Sequence, residues 1–372
     1  MSSRLALRLR RTVAVALSLP SPVVSAKSSS GVVGLPVQAF ATQASLRSHH
    51  RRSYHSLSSA LAAVTNGGFT APPPPSSKGE AVFGDIDLSA KSSEAIKRNA
   101  DEKAVYTVTG ANRGIGLQFV KSLLDRTKGT IVACCRSPEN ATSLDAIRMS
   151  LPENERSRLQ VQKLDLEDQS SIEEAAEAIK STYGRVDVLL NVAGILGDGG
   201  KTTSGPERTL GAINRQWFEK NLAVNCVGPV MFTQALAPLL QTKRRRVSKK
   251  NLDQGDDTEQ RPTTVVANLS ARVGSISDNE LGGWYSYRIS KSALNQAVRT
   301  IAHEGKRQGF QCIALHPGTT DTDLSRPFQR NVQDGRLFPV DFTVSQLLDC
   351  IDCLDDTHSG GLYDWSGKAL PF

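Results

Sequence analysis

Short apolar runs alternate with longer amphipathic stretches from residue 104 to the C terminus. Runs of five to seven residues, rich in Val, Ile, Leu and Thr, are typical of buried β-strands. Six such runs cover residues 104–109, 130–135, 159–164, 186–190, 263–269 and 310–315. Between them, stretches such as 169–183 and 215–241 have the longer apolar repeat of helices. This alternation predicts a Rossmann-type doubly wound parallel sheet in three α/β/α layers, formed as a single domain.

Residues 1–79 contrast with this body because they carry nine Lys or Arg and no Asp or Glu. The formal net charge of +8 therefore comes from the leader, and residues 80–372 hold 36 basic against 37 acidic residues. This balance gives no indication of a nucleic-acid partner. The proline run within 72–77 predicts a linker. We therefore expect the folded domain to span residues 80–372.

The leader has the basic, Ser-rich and acid-free composition of an organelle transit peptide. Arg51 and Arg52 precede a Ser-Tyr-His-Ser segment that resembles a mitochondrial processing region, so a mitochondrial location is favoured and a plastid is the alternative. A disordered tail without an address remains open. No stretch reads as long and apolar enough to cross a bilayer, so we expect no membrane span.

Six cysteines in a chain of this length do not indicate a secreted disulfide framework. Cys350 and Cys353 have a C-x-x-C spacing, which is compatible with metal binding or redox exchange. No second Cys pair or His cluster accompanies them, and they lie in an apolar, helix-like stretch. We therefore expect buried thiols and no metal site.

A glycine-rich turn follows the first apolar run and precedes an amphipathic stretch. In this strand–turn–helix context, Gly110 permits a tight turn, Gly114 lets the backbone approach a pyrophosphate, and Gly116 allows close helix packing. The phosphates would bind free N–H groups at the helix start. The candidate cofactor contacts of this turn are Gly110, Asn112, Arg113, Gly114, Ile115 and Gly116.

The second apolar run ends at a basic residue. NAD-preferring sites place an acidic side chain near this position to bind the ribose 2′-hydroxyl. Arg136 stands there instead, and Arg136 and Arg113 could pair with a 2′-phosphate. The sequence therefore favours NADP(H) over NAD(H), with solvated arginines as the alternative.

Tyr287 and Lys291 are four residues apart in a helix-like stretch, so they share one face of the helix. There the lysine ammonium could lower the pKa of the phenol by favouring its charged form. A phenol tuned in this way can exchange a proton with a carbonyl oxygen. The spacing arises often by chance, so its meaning depends on its surroundings.

Four motifs occur in one order along residues 103–372: the turn 109–116, Asp165-Leu166, the Asn-Val-Ala-Gly of 191–194, and Tyr287-x-x-x-Lys291. This ordered set resembles the short-chain dehydrogenase/reductase family. The segments around 270–291 and 321–328 are similar to its C-factor and sniffer-type carbonyl reductase subgroup. The resemblance implies an NAD(P)-dependent oxidoreductase that reduces an aldehyde, ketone or quinone to an alcohol.

The resemblance also implies roles for further residues. Asn225 would kink its helix and hold a proton-relay water beside Lys291. Asp165 and Leu166 would contact the adenine, and the turn after the strand 310–315 would hold the carboxamide of the nicotinamide. Lys291 would also hold the nicotinamide ribose. The additional cofactor residues implied in this way are Asn191, Ala193, Gly194, Tyr287, Lys291, Pro317, Gly318, Thr320 and Thr322.

The chain departs from the family at the serine that polarises the substrate oxygen. Alignment of 268–274 on the family pattern places Ala271 there. Ser270 is the nearest hydroxyl and is our candidate, with Ser275 as the alternative if the loop folds back. Side-chain alternation along a strand would aim Ser270 elsewhere. A dinucleotide-binding regulatory or signalling protein with little catalysis is therefore the rival interpretation.

Three segments outside these motifs carry further expectations. The polar loop 197–211 would lie near the substrate side, and 323–336 would form a substrate lid. The insertion 242–262 holds charges of both signs and predicts a solvated loop, with a docking role for its basic part as the alternative. Expected partners are a small carbonyl substrate and further copies of the chain, because the family forms homodimers and homotetramers.

Overall fold

The computed structural model describes residues 64–66, 68–77, 79–197, 206–242 and 261–372. Within these residues, eight strands form the main sheet, in the spatial order β3-β2-β1-β4-β5-β6-β7-β8. The strands are β1 Val105–Thr109, β2 Thr130–Cys135, β3 Leu159–Lys163, β4 Val188–Asn191, β5 Thr264–Leu269, β6 Phe310–His316, β7 Leu362–Asp364 and β8 Ala369–Leu370. All neighbours are parallel except β7 and β8, which are antiparallel.

Helices cover both faces of this sheet, as the alternation of elements predicts. One apolar core packs α2 and α8 against the sheet, and the other packs α4, α6 and α7 against the opposite face. The helices are α1 Ser93–Ala100, α2 Gly114–Arg126, α3 Thr142–Ser150, α4 Gln169–Tyr183, α5 Arg215–Leu222, α6 Gly228–Leu240, α7 Tyr285–Gln308 and α8 Val340–Asp352. The fold prediction is confirmed.

Strand β1 shows why the apolar runs become central strands. All five of its residues are buried. Tyr106 and Val108 enter the core beneath α2 and α8, whereas Val105 enters the core beneath α4 and α6. Because both faces are covered, a central parallel strand needs a nearly continuous apolar run rather than an alternating one.

The order of the sheet reverses between β1 and β4. The chain runs outward from β1 to β3, then returns to β4 on the other side of β1. Ligands of such sheets bind in the crevice outside the carboxyl ends of the strands at this reversal. The hydroxyl of Thr109, at the end of β1, accepts hydrogen bonds from the N–H groups of Val192 (3.0 Å) and Ala193 (3.1 Å). This contact joins the two strand ends that border the crevice.

The Pro-rich segment is part of the folded domain, so the linker expected up to residue 79 differs from the structure. Ala71 is completely buried, and the ring of Phe69 lies 5.0 Å from that of Phe342. The guanidinium of Arg336 donates to the carbonyl of Pro73 (3.2 Å), and that of Arg272 donates to the carbonyl of Pro75 (2.9 Å). The leader up to residue 63 and the insertion from 243 to 260 lie outside the described residues.

One helical stretch among the described residues, Arg215–Leu240, is long and apolar enough to cross a membrane. The expectation that no stretch meets this criterion was therefore wrong. Phe232, Leu236 and Leu240 of this stretch are buried in the core beneath the sheet. Core helices satisfy the same test of length and composition.

Candidate active site

The turn between β1 and α2 requires glycine at specific positions. Gly110 and Gly114 have φ angles of +65° and +54°. A Cβ on Gly110 would lie 2.9 Å from the Cα of Ala193, and one on Gly116 would lie 2.2 Å from the carbonyl oxygen of Gly110. The compact turn leaves Asn112 exposed beside the start of α2. No side chain caps this helix within the described residues, so its first N–H groups can bind an anion.

Two arginines flank this turn. Arg113 stands immediately before α2 and Arg136 immediately after β2, and both side chains are exposed. Within the described part of the chain, neither guanidinium has a hydrogen bond or an ion pair. An uncapped helix start with two free cations beside it fits the phosphates of a dinucleotide.

Three further predicted cofactor contacts, Asp165, Leu166 and Ile115, lie at the same edge of the sheet. Asp165 is half-buried just beyond β3, and its carboxylate accepts from the N–H of Glu167 at 3.0 Å. Leu166 is buried, and its carbonyl oxygen would lie 2.5 Å from a Cβ on Gly228, so it also packs against α6. Ile115 is half-buried in the first turn of α2.

Asn191 differs from its predicted role, because its side chain lies inside the protein. It is 2% exposed, and its amide donates to the hydroxyl of Thr233 (3.1 Å) and the side-chain oxygen of Asn268 (2.9 Å). These bonds join β4, β5 and α6 rather than facing a ligand. Ala193 and Gly194 lie beyond the strand end and remain half-buried.

The turn after β6 approaches the glycine turn between β1 and α2. A Cβ on Gly114 would lie 3.5 Å from the side chain of Thr322, which is half-buried. Gly318 has a φ of +72°, and a Cβ there would collide with the ring of Phe338 at 2.4 Å. Pro317, which precedes this glycine, is half-buried. The turn thus extends the cleft from the start of α2 toward β6.

Thr320 is an exception within this turn. It is 3% exposed, and its hydroxyl lies 3.0 Å from that of Thr343 in α8. Its side chain therefore faces the helix, and the predicted cofactor contact does not extend to this hydroxyl.

Tyr287 and Lys291 lie in the first two turns of α7. The lysine is 4% exposed, its Nζ donates to the carbonyl of Leu269 at 2.7 Å, and it lies 5.7 Å from the centroid of the tyrosine ring. A Cβ on Gly194 would be 3.7 Å from the same Nζ. The pair therefore lies beside the end of β4, in the same crevice as the glycine turn.

Burial dominates the protonation of this pair. It lowers the pKa of Lys291 to about 8, because the ammonium loses hydration. It raises the pKa of Tyr287, because the phenolate would lose hydration as well. The lowering of the tyrosine pKa expected from the spacing is therefore not what this structure has.

Asn225 lies in a π-helical turn, Ala223–Val227, between α5 and α6. Its side-chain oxygen accepts from the N–H of Ile195 (2.8 Å), and its amide donates to the carbonyl of Ile195 (2.9 Å) and the hydroxyl of Ser290 (3.0 Å). Single π turns distort a helix locally and are frequent at functional sites. Asn225 thus ties the end of β4 to the helix that carries Tyr287 and Lys291.

Comparisons with known proteins show which family the chain resembles. The short chain dehydrogenase family model matches residues 104–248. The C-signal of Myxococcus xanthus is 34% identical over 190 residues, which are 51% of this chain and 94% of that protein. The chain belongs to the short-chain dehydrogenase/reductase family.

Solved structures of this family have the same fold. An NADPH-bound carbonyl reductase from chicken fatty liver is 27% identical, with a TM-score of 0.59 over 73% of this chain and 99% of that one. The carbonyl reductase Sniffer of Drosophila melanogaster is 27% identical, with a TM-score of 0.59 over 73% of this chain and 100% of that one. The chain is therefore an oxidoreductase of the short-chain family with carbonyl reductase-like relatives.

The serine position remains a departure from the short-chain family. Ser270 is 2% exposed, and its hydroxyl donates to the side-chain oxygen of Asn295 at 2.6 Å, so our candidate is held inside the packing of α7. Ser275 is also 2% exposed and accepts from the N–H of Asp278 at 3.2 Å. Ala271 is buried between them. Neither hydroxyl is open to the cleft.

Two residues near Tyr287 were not singled out by the sequence motifs. Glu207, from the predicted surface loop, is 4% exposed and contacts the start of α7. Trp284 has a φ of +53°, and its ring centroid lies 6.3 Å from that of Tyr287 and 5.1 Å from that of Phe328. The Gly-Gly pair before Trp284 signals unusual backbone, but nothing local to Glu207 predicts its burial.

An imidazole near the cleft and the two C-terminal cysteines have structural surroundings. Burial and the nearby Arg272 lower the pKa of His316 to about 4, so this imidazole is neutral at neutral pH. Cys350 and Cys353 are buried at the end of α8, as the sequence predicts, and no group of potential metal ligands occurs among the residues that the structure describes.

Proposed function

We propose that the protein is an NADPH-dependent carbonyl reductase that converts an aldehyde, ketone or quinone to an alcohol. The observation that carries this proposal is the shared crevice: Lys291 lies beside the end of β4, and the turn that carries Gly114 borders the same edge. The chicken and Drosophila relatives, both carbonyl reductases, support the substrate class.

In this proposal the bound nicotinamide supplies a hydride to the carbonyl carbon. Tyr287 holds the proton that its hydroxyl donates to the carbonyl oxygen. Burial raises the pKa of this phenol, so it carries its proton at neutral pH. Lys291 supplies a buried positive charge next to the phenol, and Asn225 holds the backbone of Ile195 against α7.

The proposed cofactor preference rests on two exposed arginines that have no hydrogen bond or ion pair to any residue that the structure describes. Arg113 and Arg136 are exposed next to the glycine turn, at the positions where a ribose 2′-phosphate would lie. Hydrogen bonds from guanidinium to phosphate are among the stronger ones in proteins. We therefore propose NADP(H) as the preferred cofactor.

The proposal is tested with Tyr287→Phe, assayed with NADPH and a panel of aldehydes, ketones and quinones. Loss of the phenol should reduce turnover by at least about 100-fold, the usual contribution of a general acid. NADPH affinity, followed by fluorescence, should change less than about twofold, since the ring remains. Tyr285→Phe is the matched control and should keep normal turnover. Normal turnover in Tyr287→Phe would reject the assignment.

A second function has one observation in its favour. Ala271 lacks a hydroxyl, and those of Ser270 and Ser275 are engaged within the protein. A dinucleotide-binding regulatory protein with little catalysis would tolerate this arrangement. Tight NADPH binding by the unmodified protein, without NADPH consumption across the panel, would favour this reading.

The location and assembly of the protein are also part of the proposal. Residues 1–63 would direct it to mitochondria, with plastids as the alternative, and the chain would form homodimers or homotetramers. A fusion of residues 1–63 to a fluorescent protein would test the address. Light scattering of the purified protein would measure the assembly.

A further inference from the structure

The helix that carries Tyr287 begins in an unusual way. Trp284 stands immediately before α7 with φ 53° and ψ 41°. Residues other than glycine rarely adopt this left-handed conformation. Its own side chain makes no capping hydrogen bond. The first N–H groups of a helix lack partners within it, so the start of α7 needs acceptors from elsewhere.

Glu207 supplies these acceptors. Its carboxylate accepts from the N–H of Ser286 at 3.3 Å and from the Ser286 hydroxyl. Its backbone carbonyl accepts from the N–H of Trp284 at 2.5 Å. Among the described residues, Glu207 has no ion-pair partner. A buried carboxylate without a cation is stabilised by such N–H and O–H donors and by the positive end of the helix dipole.

This contact lies next to the reacting group. Tyr287 follows Ser286 directly, and its ring packs against that of Trp284 with an angle of 70° between the planes. Lys291 has a separate anchor, because its ammonium is held by the carbonyl of Leu269. The phenol and the ammonium are therefore positioned from two different sides. Loss of the contact at Glu207 would move the phenol while the lysine stays in place.

We propose that Glu207 is a positioning residue for catalysis, which sets the orientation of the first turn of α7 and thereby of the Tyr287 hydroxyl. The proposal rests on the proposed function, since it needs Tyr287 as proton donor. The substrate-side loop thus contributes a buried anchor to the catalytic helix rather than only a surface. Through Trp284 the same anchor reaches Phe328 of the predicted lid.

The test compares Glu207→Ala with Glu207→Gln in the full chain. Glu207→Gln keeps a side-chain oxygen for the Ser286 donors, whereas Glu207→Ala removes both acceptor oxygens. We expect kcat to fall by about 10- to 100-fold in Glu207→Ala and by less than about threefold in Glu207→Gln, since small misplacements of reacting groups cost about this much. NADPH affinity should stay within about twofold in both. Glu173→Ala, on the surface of α4, is the control and should match the unmodified protein.

The isotope effect on hydride transfer distinguishes a positioning role of Glu207 from a role in stability alone. A misplaced phenol slows the chemical step, so deuterated NADPH should give a larger isotope effect on kcat in Glu207→Ala than in the unmodified protein. In a Tyr287→Phe background, Glu207→Ala should cause no further loss, because the group that it positions is absent. Ser286→Ala removes one donor and is the substitute if Glu207→Ala does not fold; its kcat should fall by about threefold to tenfold.

The outcomes separate the two proposals. Unchanged kcat and isotope effect in Glu207→Ala, together with normal turnover of the unmodified protein, would overturn the role of Glu207 and leave the carbonyl reductase proposal standing. If Glu207→Ala does not fold, unchanged kcat in Ser286→Ala would overturn the role in the same way. Absence of turnover in the unmodified protein would overturn both.

Discussion

The cofactor side and the substrate side of the crevice differ in what holds them together. On the cofactor side, close packing of the backbone depends on glycines. At Gly110 and Gly116 an added Cβ would collide with neighbouring backbone atoms. On the substrate side, it depends on buried polar side chains that bond to distant elements, such as Glu207 to α7 and Asn225 to the end of β4. Steric requirements of the backbone are local, whereas hydrogen-bond partners are decided by packing.

This difference has a consequence for tolerance to mutation. A glycine that packs directly against backbone cannot be replaced by a larger residue, because the neighbouring backbone cannot move without shifting its strand or helix. A buried hydroxyl can exchange partners, since its geometry is set by several side chains. We therefore expect the strongest effects on the cofactor side and the weakest at the serines.

Gly116→Ala should have the largest effect. A Cβ there would lie 2.2 Å from the carbonyl oxygen of Gly110, so the turn and the start of α2 must separate. We expect NADPH affinity to fall by more than about 100-fold, together with a lower melting temperature. Gly211→Ala is the matched control, because a Cβ on Gly211 would meet nothing within 4 Å. Isothermal titration of both variants makes the comparison, and equal affinities would contradict the steric account.

Lys291→Met should lower turnover by about 100-fold or more and change how stability depends on pH. Burial lowers the pKa of Lys291 from 10.5 to about 8, so between these values the unfolded chain binds more protons than the folded one. The lysine therefore destabilises the fold below pH 8, and this penalty disappears as the pH rises toward 10.5. Across this window the advantage of the methionine should shrink by on the order of 3 kcal/mol.

Urea unfolding of the cofactor-free proteins at pH 7, 8, 9 and 10 would measure this dependence. The exposed Lys103 provides the control, and Lys103→Met should show a constant difference from the unmodified protein. A constant difference for Lys291→Met as well would show that the lysine is not penalised by burial.

Arg136→Ala and Arg113→Ala should weaken NADPH binding by about 10-fold each while leaving NADH nearly unchanged. Each guanidinium would lose one charged hydrogen bond to the 2′-phosphate, which NADH lacks. Dissociation constants for the two cofactors, measured side by side, check this. A parallel loss for NADH would place the arginines on the shared pyrophosphate instead.

Ser270→Ala and Ala271→Ser should have the smallest effects. The hydroxyl of Ser270 is bound to Asn295, so its removal should lower the free energy of unfolding by about 1 kcal/mol and leave kcat nearly unchanged. Ala271→Ser adds a hydroxyl at the family position, and we expect kcat to rise several-fold. Steady-state kinetics and urea unfolding distinguish them, and a 100-fold fall in kcat for Ser270→Ala would restore it as a catalytic residue.

The residues of the site show how far the sequence could predict its arrangement. The glycine turn, the pair Tyr287 and Lys291, and the distorted helix at Asn225 all occur where the motifs and the family resemblance placed them. Asn191 and Thr320 match the motifs equally well, but their side chains are buried against Thr233 and Thr343. A motif states which residue is present and leaves open which way its side chain faces.

By itself, the sequence determined the order of strands and helices, the doubly wound sheet and the glycine turn before α2. The period of apolar residues and the demand for glycine are local properties of the chain. Only the tertiary structure decided that the Pro-rich segment near Pro73 packs on the domain, that Ser270 is engaged by Asn295, and that Glu207 anchors α7. Each of these depends on contacts between residues far apart in sequence, and a buried polar group takes its role from the partner that packing provides.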